Sequence, residues 1–176
     1  MFWSQIVRVG LLGLAIGGTC LGLADSDEHE EKEHQGQRRA MAVASNPQYK
    51  AECASCHMLY PPGLLPARSW QAIMGGLKNH FGDNASLDEK TTVELTQFLV
   101  KNSADQSSLR RSQKIAQSIQ DVPLRFTETA YFKRKHHEVG DEVWQRKKVA
   151  SRANCVACHG RAEAGIFDED EVRIPR

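Results

Sequence analysis

The stretch Cys53-Ala54-Ser55-Cys56-His57 returns late in the chain as Cys155-Val156-Ala157-Cys158-His159. Few sequence features constrain a fold this tightly. Two thiols separated by two residues and followed at once by an imidazole form the attachment pattern of c-type haem. The thiols add across the two vinyl groups of one porphyrin and leave thioether bonds. The adjacent His then lies under the iron as its proximal ligand. Two copies call for two covalently bound haem c groups, with Cys53, Cys56, Cys155 and Cys158 as the attachment residues and His57 and His159 as proximal ligands. The same cysteine pairs could serve thiol redox chemistry or bind zinc. A redox pair normally follows a strand in a thioredoxin-like pattern, and none is visible. The two pairs also stand much farther apart than in a compact zinc ribbon. Neither alternative requires a His after both pairs.

The amino-terminal end agrees with haem attachment outside the bacterial cytoplasm. Residues 1–24 read as an export signal: Arg8, an uncharged and mostly apolar run from Val9 to Leu23, then Gly22-Leu23-Ala24 as a small-x-small cleavage site before Asp25. The run falls short of the roughly 20 residues that span a bilayer comfortably, which favours cleavage over a retained membrane anchor. Cys20 belongs to this segment, and Thr19 before it fits a lipidation site poorly. With the other four cysteines assigned to haem, no thiol is left for a disulfide.

Residues 25–44 are expected to form an acidic, disordered linker. Asp25 to His34 carries six acidic residues and one Lys, with no large apolar side chain to bury. Overall charge is nearly balanced, at a formal +1. No basic block interleaved with aromatics suggests a nucleic-acid partner. The remaining chain, about 135 residues, is the size of one ordinary domain or two small lobes. The expected class is mostly α, with little or no β. The expected architecture is an N-terminal haem lobe at 45–106 and a C-terminal one at 107–176, each packed on its own haem.

Local signals set out the helices. Asn46-Pro47 is a capping residue followed by Pro at the first helical position, opening a helix that runs into the first motif. Pro61-Pro62-Gly63 ends it. Pro66 starts a second helix, on which Trp70, Ile73, Leu77 and Phe81 recur at helical spacing and His80 falls near the end. Ser86 with Glu89 reads as a capping box opening a third helix, which carries Leu87, Leu95, Phe98 and Leu99. The polar stretch 102–108 reads as a hinge between lobes. A helix with Leu109, Ile115, Ala116 and Ile119 follows. Thr127 is the candidate cap of another helix, which carries Tyr131 and Phe132 up to His136 and His137. A short helix is expected to end in the second motif.

The second axial ligand decides what a haem iron does: His or Met closes it for electron transfer, and an open position permits gas binding or catalysis. Of the seven His, two are proximal and His29 and His34 lie in the acidic linker. His80 is therefore the distal candidate for the first haem. Met58 adjoins the proximal His and cannot reach the opposite face, and Met74 reads as core filler. For the second haem the candidates are His136 and His137. Adjacent helical residues point about 100° apart, so only one can face the iron. Two imidazoles per iron would give low-spin haems of low potential.

The chain from Tyr49 to Arg176 resembles the bacterial dihaem cytochrome c family abbreviated DHC. The resemblance is carried by Cys53-Ala-Ser-Cys-His57, by Tyr60-Pro-Pro-Gly-Leu-Leu-Pro-Ala-Arg-Ser-Trp70 and by Leu77-Lys-Asn-His80-Phe-Gly82. In the second half it is carried by Lys135-His136, by Ala153-Asn-Cys155-Val-Ala-Cys-His159 and by the tail Phe167 to Arg176. It implies a periplasmic electron carrier with two bis-His haems. It also implies His136 as the second distal ligand, since the family's distal His precedes a polar, an acidic and an aliphatic residue, as in His136-His137-Glu138-Val139. Family partners are a small oxygen-binding monohaem cytochrome and a b-type membrane cytochrome. No enzymatic activity and no small-molecule substrate are implied. The competing reading is a dihaem enzyme, a peroxidase or small-molecule reductase, with one labile distal ligand and an acid/base group beside it.

Overall fold

The computed structural model describes residues 40–41 and 46–176. The expected export signal lies outside the described residues, as does the acidic linker apart from Ala40 and Met41. Among the described residues there are six α-helices joined by short 3-10 turns. The only strand-like pairings there are two isolated bridges, His80 with Asp83 and His159 with Val172. The fold is mostly α, as the patterning requires.

Helix α1, Pro47–Cys53, starts where Asn46 accepts the Tyr49 N–H on its side-chain oxygen at 2.9 Å. Helix α2, Ala67–Gly75, is shorter than its apolar spacing suggested. The pair Gly75-Gly76 ends it, because two glycines make a poor helix interior. Leu77–Asn79 continue as a 3-10 turn, and Phe81 falls off the buried stripe and is 44% exposed. Helix α3, Glu89–Lys101, is capped by Asp88 rather than Ser86. The Asp88 carboxylate accepts the Thr91 N–H at 2.9 Å. A charged acceptor at a helix N-terminus also meets the positive end of the helix dipole. Helix α4 spans Arg110–Gln117. Helix α5, Ala130–Lys135, is capped by Thr129, not Thr127. Helix α6 is the single turn Asp141–Trp144.

The main core gathers Tyr49 from α1, Trp70 and Met74 from α2, Leu95 and Leu99 from α3, and Ile115 with Ile119 from α4 and its end. Leu95 and Ile115 are fully buried, and each such side chain is worth about 1.5–3 kcal/mol of transfer free energy. The apolar core thus continues across the expected lobe boundary at 106/107. Phe132, Val143, Val149, Ala162 and Ile166 are buried outside that cluster, in the carboxy-terminal half.

The stretch 102–108 does not have the character of a hinge. Ala104 is fully buried and donates its N–H to the Leu65 carbonyl at 2.9 Å. The Asp105 carboxylate accepts the Ala67 N–H at 2.9 Å and the Ser103 hydroxyl at 2.6 Å. It therefore caps α2 from a distance, where Pro66 offers no side-chain acceptor. Arg68 donates to the carbonyls of Ile119 and Asp121, both at 2.7 Å, and ties the end of α4 to α2.

Met41 was expected within the linker, yet it is 2% exposed and donates its N–H to the Gly165 carbonyl at 2.8 Å. Gly165 sits at φ 73°, and a Cβ there would collide with the Met41 carbonyl, so both the conformation and the close approach require glycine. Local composition hid this contact, because the partner lies at the other end of the chain.

Candidate haem sites

None of the four motif cysteines is in a disulfide. Cys53 is the last residue of α1, and Ala54 closes the helix by donating its N–H to the Lys50 carbonyl. The chain leaves helical geometry inside the first motif, so His57 is set by the turn that follows. His57 Nδ1 donates to the Met58 carbonyl at 2.7 Å. A carbonyl can only accept, so Nδ1 carries the hydrogen and Nε2 is left with its lone pair free. Such a carbonyl partner is the usual device for orienting a metal-binding imidazole.

His80 reaches the same place from a tight turn. Its N–H donates to the Asp83 carbonyl at 2.7 Å, and the Asp83 N–H returns to the His80 carbonyl at 3.2 Å. The two central residues, Phe81 at φ 55° and Gly82 at φ 109°, both have positive φ, the signature of a type I′ turn. Phe81 is a strained choice there, at a cost of order 1–3 kcal/mol. Its ring meets His80 edge-on at 4.7 Å, and the Arg125 guanidinium lies over it at 3.8 Å. The His80 ring centroid lies 6.3 Å from that of His57, with the rings 33° apart in plane. Burial, then the neighbouring His57 and Arg125, hold His80 below the usual histidine pKa, which keeps it neutral. A cleft of about 400 Å³, lined by Ile73, Gly76, His80 and Leu124 among others, opens beside it.

The second site is built differently. Cys155–Ala157 form a 3-10 turn rather than the end of an α-helix. The carboxy-terminal tail holds the motif: Arg173 donates its N–H to the Cys158 carbonyl at 2.9 Å, and Val172 bridges to His159. His136 caps the end of α5, and its Nδ1 donates to the Phe132 carbonyl at 3.0 Å, again leaving Nε2 free. Its ring stacks on Phe132 at 4.0 Å and meets Trp144 at 5.9 Å. The ring centroids of His136 and His159 are 6.1 Å apart, at 79°. Burial first, then proximity to charge, holds both rings below the usual histidine pKa. His137 points elsewhere: it is exposed, with Nδ1 on the Arg134 carbonyl and Nε2 3.8 Å from Glu138.

The pair distances have a simple meaning. An imidazole nitrogen sits about 2 Å from a bound metal and its ring centre lies about 1 Å further back, so two imidazoles on opposite sides of one ion have centres about 6 Å apart. Both pairs match. Among the described residues, no three His, Cys, Asp or Glu side chains converge to hold an ion unaided. Two protein ligands per site are what an iron needs when a porphyrin supplies the other four. Cys53, Cys155 and Cys158 are not poised for exchange chemistry either. Burial pushes Cys53 and Cys155 up to about 11 and raises Cys158, away from the thiolate form.

The family model for dihaem cytochrome c matches residues 49–167. The chain belongs to the dihaem cytochrome c family. Solved structures of dihaem cytochromes c agree. A diheme cytochrome c from Rhodobacter sphaeroides is 46% identical, with a TM-score of 0.63, over 72% of this chain and 99% of that one. A second structure, of DHC purified from Rhodobacter sphaeroides, is 43% identical, with a TM-score of 0.59, over 71% of this chain and 99% of that one. The diheme cytochrome type c from Shewanella baltica OS155 is 44% identical, with a TM-score of 0.61, over 74% of this chain and 93% of that one. No curated protein matches the chain. As a dihaem cytochrome c, the chain carries two covalently bound haem c groups, and both Cys-x-x-Cys-His motifs are present for them.

Three site features of this dihaem cytochrome c escaped sequence reasoning. The first is the turn at Phe81-Gly82, which carries His80 where an extended helix was expected. The glycine pair at 75–76 was the available signal. The second is the aromatic wall of Phe132, Trp144 and Phe167 around His136 and His159. The third is Tyr60. Its ring lies 5.1 Å from that of His57, and its hydroxyl donates to the Ala153 carbonyl at 2.6 Å. Burial, then the nearby Cys155, pushes that hydroxyl up to about 12, so it remains a donor.

Proposed function

We propose that this dihaem cytochrome c is a periplasmic electron carrier with two low-spin irons, each closed by two imidazoles. Cys53 and Cys56 would anchor one haem and Cys155 and Cys158 the other. His57 with His80, and His159 with His136, would be the axial pairs. The single observation that carries this reading is the pair of His–His separations, 6.3 and 6.1 Å, in two independent places.

Bound haem supplies a one-electron Fe(III)/Fe(II) couple. The chain's own residues hold that couple and keep it closed. The carbonyls of Met58 and Phe132 fix the tautomers of His57 and His136. Burial of His80, His136 and His159 disfavours their protonated forms, which could not ligate. Phe132 and Trp144 wall the second site against water and small ligands. Export is supported by the apolar run from Val9 to Leu23 and by the need to attach c-type haem outside the cytoplasm. The resemblance to the family supports a small oxygen-binding monohaem cytochrome and a b-type membrane cytochrome as redox partners.

Absorption and paramagnetic resonance spectra of the oxidised holoprotein test this. Two low-spin signals are expected, with no high-spin band and no shift on adding cyanide or carbon monoxide. A second reading, a dihaem peroxidase or reductase, draws support from the strained turn that carries His80, since one distal imidazole must leave for substrate to bind. Ligand binding at one iron, with hydrogen peroxide or nitrite turned over faster than by free haem, would replace the carrier reading.

A further inference from the structure

We propose that Tyr60 is a positioning residue for electron exchange between the two haem sites. The inference rests on the electron-carrier reading and goes beyond it. Tyr60 joins the two motifs through one side chain. At one end its ring packs against the proximal His57 at 5.1 Å. At the other its hydroxyl donates to the Ala153 carbonyl at 2.6 Å, across 93 residues of sequence. That same oxygen accepts the Cys155 N–H at 3.1 Å and lies 3.7 Å from Cys155 Sγ. A carbonyl oxygen has two lone pairs, so it can hold both donors at once. The Tyr60 backbone is fixed in turn: its carbonyl accepts the Tyr49 hydroxyl at 2.9 Å, and Tyr49 is 4% exposed on α1, the helix that ends at Cys53.

The network therefore runs from the first attachment helix through Tyr60 to the first cysteine of the second motif. A hydrogen-bonded chain of this kind rigidifies the groups it joins. Electron exchange is sensitive to separation and to gaps, so a fixed bridge keeps it fast. In the step, one iron passes from Fe(II) to Fe(III) as the other passes from Fe(III) to Fe(II). One electron moves, no bond forms or breaks, and Tyr60 keeps its proton.

The test uses the holoprotein with both haems attached, compared as wild type, Tyr60→Phe and Tyr49→Phe. Spectra and mass are recorded first. High-spin iron or cyanide binding in the wild type would defeat the carrier reading itself, separately from the role of Tyr60. Pulsed one-electron reduction then follows the equilibration between haems. Tyr60→Phe is expected to keep both low-spin signals and to slow equilibration severalfold. Tyr49→Phe removes a hydroxyl from the same network but leaves the link from His57 to Ala153, and it should slow equilibration less than Tyr60→Phe does. A merely structural role would lower the melting temperature in both variants without separating their rates. An unchanged rate in Tyr60→Phe, equal slowing in both variants, or a Tyr60→Phe protein that loads only one haem would each overturn the proposal.

Discussion

At the first motif the chain leaves an α-helix, and its two imidazoles stand near the surface: His57 is exposed, and His80 sits on a two-residue turn with a strained Phe81. At the second motif the chain makes a 3-10 turn held by the tail, and its imidazoles are packed among Phe132, Trp144 and Phe167. The pattern of Cys and His is the same in both. The surroundings come from residues far from either motif. The chemistry of attachment is thus written locally, whereas exposure, stiffness and potential are set by what the rest of the chain packs around each site. The orienting bonds differ too: His57 and His136 donate Nδ1 to a backbone carbonyl, while His159 Nδ1 is buried without a partner. His159 is held instead by packing against Phe167 and by its bridge to Val172.

The most drastic way to break this comparison is to remove the distal imidazoles one at a time. His80→Ala and His136→Ala should each convert one haem, and a different one, to high spin in the paramagnetic resonance spectrum. His137→Ala should leave both low-spin, because His137 faces solvent. Were His137→Ala to produce the high-spin signal instead, the second site would have to be rebuilt around the other His.

A smaller effect should separate the aromatic supports. Phe132 is 3% exposed and stacks on His136, so Phe132→Ala should cost about 3–5 kcal/mol in denaturant unfolding. Phe81→Ala should cost only about 1 kcal/mol, because Phe81 is 44% exposed, Ala keeps the positive φ, and what is lost is the ring's contact with His80 and Arg125. Comparable losses at the two positions would erase the distinction between an enclosed and an open site.

The potentials should differ in a definite order. Fe(III) haem carries one more positive charge than Fe(II) haem, and burial disfavours the more charged form. The enclosed site of His136 and His159 should therefore have the higher potential. A spectroelectrochemical titration of wild type and His80→Ala assigns the steps. The comparison fails if the step that survives unperturbed in His80→Ala is the lower one.

The smallest expected effect concerns the cap on α2. At Asp105 burial alone would raise the carboxyl pKa, but the bonds from Ser103 and Ala67 outweigh it and the net shift is downward. The unfolded chain then binds the proton more readily than the folded one. The stability contributed by Asp105 is present above the unfolded pKa of about 3.9 and is lost as pH falls through the lower folded value. Asp105→Asn should be less stable than wild type at neutral pH, and the gap should close in acid. A gap that does not depend on pH would mean that the carboxylate charge is irrelevant to capping α2.

Much of the helical layout was legible. Asn46-Pro47 starts α1, and Leu95 and Leu99 are buried on α3, because caps and apolar spacing act within a few residues. Boundaries failed where two local signals competed. Apolar spacing argued for a helix through Phe81, and Gly75-Gly76 stopped it. Ser86 and Thr127 looked like caps, but Asp88 and Thr129 took the roles. The stretch 102–108 is polar, yet Ala104 is buried and Asp105 caps a helix from a distance, which composition cannot reveal.

By itself, then, the sequence determined that two haems are attached, which residue types hold them and that the chain is helical. Covalent attachment needs thiols and an imidazole at fixed short spacing, and such spacing survives in one dimension. Only the tertiary structure decided that His80 faces His57, that His136 and not His137 faces His159, and that Tyr60 joins the two motifs. Those meetings are between residues distant along the chain. They depend on where helices end and which way a turn points, quantities that no local spacing encodes.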